Sequence, residues 1–182
     1  MHSSVYKPLL SAVALLVAAS GNLFAAQGGT SMHLHGALVD EPCYVQPGDE
    51  SITLDFGTVI DKYLYLNSRT NSQPFTIHLV DCNIDSWPGG GTVTARFEGT
   101  ESPELPGYLA VSNANSGVAI GLEESDGKLL PLGQNSAAIT LANGSNALDF
   151  KAFVAGEPSA LQNSALALGE FSAVTTFYLE YP

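Results

Sequence analysis

An alternation that runs to the last residue is what most constrains this chain. Gly169, Phe171, Ala173, Thr175, Phe177, Leu179 and Tyr181 share one parity, and only Pro182 follows them. A period of two places such side chains on one face of a β-strand. The last strand therefore has no successor, and its far edge must be covered from elsewhere in the chain or by another molecule. The same period recurs in Ile52–Phe56, Phe75–Val80, Val93–Phe97, Val118–Leu122 and Leu148–Val154, each of which reads as a half-buried strand. Turn signals separate them at Pro47-Gly48-Asp49, Pro88 to Gly91, Pro106-Gly107, Ser125-Asp126-Gly127 and Asn143-Gly144, the last in a hairpin context. Many short strands with such turns argue an all-β antiparallel sandwich. The one helix candidate, Pro158 to Leu168, reads equally well as a loop over the sheet edge.

The front of the chain reads differently. Lys7 is the only side-chain charge in the first 39 residues, and the apolar run Leu9 to Ala19 that follows is too short to span a bilayer. Residues 1–25 are thus expected to be a secretory signal, with cleavage after Ala25 or Ala26. Next comes flexible Gln27-Gly28-Gly29 and then a strand pattern, in which Met32, Leu34, Gly36 and Leu38 alternate with His33, His35 and Ala37. This arm is able to leave the body instead of folding onto it.

Export fits the cysteines. Cys43 and Cys82 are the only two, and an oxidising compartment offers them one intramolecular pairing. A disulfide closing a loop of about 40 residues is worth roughly 4 kcal/mol in the chain-entropy model. The competing reading, a two-thiolate metal site, lacks close pair spacing and further ligands.

Charge and motifs exclude several functions. Six Lys and Arg stand against 18 Asp and Glu, for a net charge of −12, and the cations are scattered. Nucleic acid and anionic lipid surfaces would be repelled. His33 and His35 face one side of a strand, but no acidic or cysteine partner is local, so surface alternation explains them better than a metal. Asp55-Phe56-Gly57 lacks every other kinase signature and reads as a strand end and turn. Adjacent Glu123 and Glu124 point to opposite faces of a strand, cannot flank one substrate bond, and are expected to be solvated. Asn143-Gly144-Ser145 is a formal glycosylation sequon that reads as the turn itself. No Gly-x-Ser-x-Gly elbow gives a serine its nucleophilic context.

Gly36-Ala37-Leu38-Val39-Asp40-Glu41-Pro42-Cys43-Tyr44-Val45 resembles the start of chaperone–usher fimbrial (pilus) subunits of the type 1 and P-pilus kind. Leu54-Asp55-Phe56-Gly57 and Pro74 to Cys82 are similar to their next two strands, and Gly117 to Leu122 with Asp126 to Gly133 to their middle. Gly169, fourteenth from the end, and the penultimate aromatic Tyr181 match the family's terminal pattern. Glu104-Leu105-Pro106-Gly107-Tyr108-Leu109 resembles minor, adaptor-type subunits.

The resemblance implies an incomplete immunoglobulin-like sandwich lacking its last strand, completed by donor-strand complementation and exchange. Residues 26–40 would be the donor extension, offering Met32, Leu34, Gly36 and Leu38, and 41–182 the pilin domain. The groove strand would carry Gly169, Phe171, Ala173, Thr175, Phe177, Leu179, Tyr181 and Pro182. Implied partners are a periplasmic chaperone whose basic residues anchor the Pro182 carboxylate, an outer-membrane usher and neighbouring subunits, with no direct membrane insertion. The chain would pass through the periplasm to a surface fimbrium, with no cofactor and no catalytic site. The alternative is a carbohydrate-binding adhesin that uses Trp87 as a stacking platform, although the family's tip adhesins carry a further lectin domain.

Overall fold

The computed structural model describes residues 41–182 except 86, 88, 89 and 114. The expected signal (1–25), the arm (26–40) with Met32, Leu34, Gly36 and Leu38, and the pair His33 and His35 lie outside the described residues. In chain order the elements are β1 (Tyr44–Val45), α1 (Asp61–Asn67), β2 (Gln73–Cys82), β3 (Thr92–Glu98), β4 (Leu109–Ala110), β5 (Val118–Glu124), β6 (Ile139–Thr140), β7 (Gly144–Gly156), α2 (Pro158–Gln162) and β8 (Thr176–Glu180). Every strand pairing is antiparallel. One sheet has the order β1-β2-β7-β5-β4, the other β6-β3-β8. Among the described residues, no helix is long and apolar enough to cross a membrane.

The period-two pattern produces the core directly. Ile77 and Leu79 of β2, Leu148, Phe150, Ala152 and Val154 of β7, and Val93, Ala95 and Phe97 of β3 turn inward and are buried. Three aromatic rings join the two sheets: Phe97 meets Phe150 edge-on at 5.2 Å, and Phe75 lies 6.0 Å from Phe97 and 5.8 Å from Phe150. Edge-on pairs of this kind add to the stabilisation that burial alone provides. Cys43 and Cys82 form the expected disulfide. It clamps the start of the domain to the end of β2, beside a register shift between Leu79 and Cys82 where Asp81 takes a φ of 53°.

Several local expectations are corrected. Val118–Leu122 and the end of β7 are buried on both faces, not one. On the outer face, the Phe153 ring is capped by the Arg69 guanidinium at 3.4 Å and by Tyr108 edge-on at 5.8 Å. Gly121 makes room for this arrangement, because a Cβ there would stand 2.3 Å from Phe153 and 2.8 Å from Tyr108. Glu123 is not solvated but buried. Arg69 Nη1 donates to its carboxylate at 2.7 Å, the Ser72 hydroxyl donates at 2.5 Å, and Arg69 Nη2 donates to that hydroxyl at 2.6 Å.

Asn143-Gly144 does not close a hairpin: β6 pairs with β3 and β7 with β2, so the segment carries the chain from one sheet to the other. The Asn143 side chain receives the Ile84 amide and donates to Asp85, which ties this crossing to the loop after β2. The helix candidate at Pro158 is real but ends at Gln162. Past it, Ser164 turns to a φ of 52°, Leu166 N donates to the Tyr65 hydroxyl and Ala167 N to Ser116 O, so tertiary bonds replace the helical ones. Helix α1 was not anticipated. Ile52–Phe56 and the first half of Phe171–Tyr181 alternate as strands do, yet the ladder covers only Thr176–Glu180.

Burial raises the Glu123 pKa, but the bonds from Arg69 and Ser72 and the charges of Arg69 and Lys151 together outweigh it and hold the carboxyl below its usual 4.5. A carboxyl depressed in the folded state adds stability above its unfolded pKa, and that contribution disappears as pH falls through the folded value. Glu123→Gln should therefore cost about 1.5–3 kcal/mol at pH 7. Urea midpoints should show the difference shrinking below about pH 4.5; a difference independent of pH would contradict this assignment.

Candidate functional site

A groove of about 1040 Å³ runs between two segments that do not pair with each other. One wall is residues 50–59, which follow the turn at Pro47-Gly48-Asp49. Among the described residues, 51–59 make no backbone–backbone hydrogen bond. Their one backbone donor with a partner among the described residues is Gly57 N, bonded to the Asp55 carboxylate at 2.8 Å, and Gly57 takes a φ of 61°. Asp55-Phe56-Gly57 is thus a turn in a wall that has no ladder among the described residues.

The second wall is residues 169–177, leading into β8. Five registered pairs, from Thr94↔Glu180 to Glu98↔Thr176, attach β8 to β3. Before them, the Thr175 hydroxyl donates to Glu98 O at 3.0 Å, and Ser112 N donates to Ser172 O at 2.7 Å. The bonds of this wall among the described residues go to β3 and to Ser112, which follows β4. The edge toward the groove has no partner among the described residues, and unpaired strand edges of this kind template the addition of another strand.

The floor is the core itself: Phe75, Phe97, Leu109, Ile120, Leu122 and Ala152. Burial along the two neighbouring strands shows what is missing. The inward residues of β3 are at most 2% exposed, whereas Phe171, Ala173, Thr175, Phe177, Leu179 and Tyr181 on the adjacent wall are all only half-buried. Leu54, Phe56 and Val59 on the opposite wall are half-buried too. A sandwich interior normally covers such positions completely.

Of the residues expected in the groove strand, Gly169, Phe171, Ala173, Thr175 and Phe177 line the cavity, while Leu179, Tyr181 and Pro182 lie past its lining. The Tyr181 ring meets Trp87 edge-on at 6.3 Å. Burial, aided by the negative charge of Glu41, pushes its hydroxyl up to about 12, so it stays neutral at ordinary pH. Trp87 is partly buried with its ring against Tyr181, and this position argues against a platform open to sugar. At the exposed flank of β8, Asn135 and Arg96 donate to the Glu180 carboxylate and hold its pKa below the usual value. Glu104, from the adaptor-like motif, has a structural task. Its carboxylate accepts Ser159 N at 2.9 Å and the Ser159 hydroxyl at 2.5 Å, pinning the first turn of α2. Glu123 and α1 are the features that sequence reasoning missed, and both lie outside the groove floor.

Gly169 takes a φ of 145°, and the nearest atom to a Cβ built there is Asn113 Nδ2 at 4.0 Å. Space is available; the backbone conformation is what requires glycine. Gly169→Ala should cost about 1–3 kcal/mol through that conformation alone. An unchanged urea midpoint would show that the wall does not hold this angle.

Comparison with known proteins gives this geometry its family. The sequence profile of the family described as "Fimbrial protein" matches residues 32–182. The chain is 33% identical to the major MR/P fimbria protein of Proteus mirabilis (strain HI4320) over 174 residues, covering 95% of each chain. It is 32% identical to the fimbrial adapter PapK of Escherichia coli over 152 residues, covering 80% of this chain and 84% of that one. A solved chaperone–usher pilus superimposes with a TM-score of 0.69 at 30% identity, covering 86% of this chain and 97% of its own. The two facing antiparallel sheets are therefore an immunoglobulin-like pilin sandwich, and the chain belongs to the fimbrial protein family, as a subunit of the chaperone–usher kind.

Proposed function

We propose that this chain is a structural subunit of a surface fimbria that polymerises by donor-strand exchange, supporting adhesion and carrying out no catalysis. The observation that carries the reading is the groove: an apolar floor shared with the core, between two walls whose facing edges have no partner among the described residues. The arm fits it in length and pattern. Nine residues of wall, 169–177, span roughly 30 Å, and the seven residues from Met32 to Leu38 span roughly 23 Å when extended. Met32, Leu34 and Leu38 would each gain about 1.5–3 kcal/mol on burial, while the backbone ladder closes on both sides. Because the strand completes the acceptor's core, binding energy is also folding energy, and dissociation requires opening the core.

Before exchange, a periplasmic chaperone lends the strand and holds the Pro182 carboxylate, and an outer-membrane usher carries out the transfer. The exposed position of Pro182 suits such capture. The 32% identity to PapK and the 29% identity to the putative minor fimbrial subunit PmfF of Proteus mirabilis support an adaptor-type place in the fibre.

The arm supplies the test. Leu34→Asp should abolish incorporation of this subunit's arm into a partner's groove and leave its own complex with a chaperone intact, as read by co-purification from periplasm. Equal loss of both complexes would overturn the reading.

A further inference from the structure

The groove has two ends, and the chain's own geometry says which one a donor enters. At the first end stand Glu41, the disulfide and Tyr181: Asn83 N donates to Pro42 O at 2.8 Å, and Glu41 acts electrostatically on the Tyr181 hydroxyl. The arm departs from here, because it joins the body at Glu41. At the second end stand α1 and the start of the other wall: Tyr65 receives Leu166 N, Thr70 N donates to Val154 O, and the walls reach Val59 and Gly169.

If an incoming arm entered at the first end, each body would meet both its neighbours there, and bodies could not stack in a line. Entry at the second end gives a head-to-tail series. From Leu38 to Cys43 is five residues, at most roughly 18 Å, so the donor's body must come to rest against the acceptor's second end.

That end presents apolar side chains to solvent. Ile60, just before α1, is 59% exposed, Tyr63 40%, Leu66 84% and Leu168 83%. A hollow of about 290 Å³, lined by Val59, Ile60 and Tyr63 among others, connects this face with the groove, since Phe56, Thr58 and Val59 border both. Soluble surfaces seldom gather large apolar residues this way without a partner. The donor's arriving end offers a matching exposed aromatic, Tyr44.

We propose that Ile60, the residue before α1, with Tyr63 and Leu66 of α1, forms a docking surface for the body of the arm-donating subunit, a contact additional to the strand in the groove. This rests on the exchange reading above. The contact is heterologous, with α1 of one body against the disulfide-bearing end of the next, as a linear assembly requires.

The test compares two ways of filling the groove of the full chain: a synthetic peptide of residues 27–40, and a second copy of this chain as whole donor. Hydrogen exchange is followed at residues 51–59, 170–176 and 60–67. Both donors should protect the two walls. Only the whole subunit should further slow exchange across 60–67, by tenfold or more. Tyr63→Glu with Leu66→Glu should leave peptide binding within twofold and slow filling by whole subunits at least fivefold. Equal exchange at 60–67 with either donor, or equal effects of the double substitution on both, overturns the docking surface while the exchange reading stands. Failure of both donors to protect the walls overturns the exchange reading, and this proposal with it.

Discussion

The constraint on which the molecule depends is an apolar interior reaching the surface along one line. Phe75 and Phe97 belong to the aromatic cluster that joins the sheets, and they are also groove floor. A ligand site and a core are usually different places. Here they coincide, so on the proposed reading occupancy of the groove and integrity of the sandwich are one equilibrium.

The rest of the body holds its shape around that line. The five-stranded sheet is covered on its inner face by the core and, over β5 and the end of β7, on its outer face by Arg69, Tyr108 and the segment around α2. Gly156 and Gly117 allow Leu161 and Ala160 to lie against those strands, where a Cβ would stand within 2.6 Å of each. The disulfide ties the start of the described domain to the end of β2. The three-stranded sheet, by contrast, has β8 as an edge that, among the described residues, is tied only to β3. Rigidity on one side and an open edge on the other suit the proposed uptake of a strand without reorganisation of the sheets.

What the sequence discloses follows from how local each signal is. Parity alone places Leu148, Phe150, Ala152 and Val154 on one inner face, and two cysteines leave a single pairing, so core and disulfide are legible. The groove walls are half legible: alternation in Ile52–Phe56 and Phe171–Thr175 is that of strands, but alternation reports a face and says nothing about whether a ladder partner exists. Glu123 fails for a related reason. Its face is correct, but the cover over that face comes from Arg69 and Ser72, more than 50 residues away. Helix α1 is seven residues long, too short for a 3.6-residue period to stand out. Asn143-Gly144 carries a hairpin signature, and only the pairing of β6 with β3 and β7 with β2 shows that it changes sheets.

Thermal melting of the chain begun at Glu41, so that no arm is present, measures the central claim most directly. The uncovered floor predicts no cooperative transition and loss of the protein to aggregation, with a sharp transition restored when a peptide spanning Met32 to Leu38 is supplied. A soluble monomer that melts cooperatively without the peptide, at the same temperature as with it, would contradict the account.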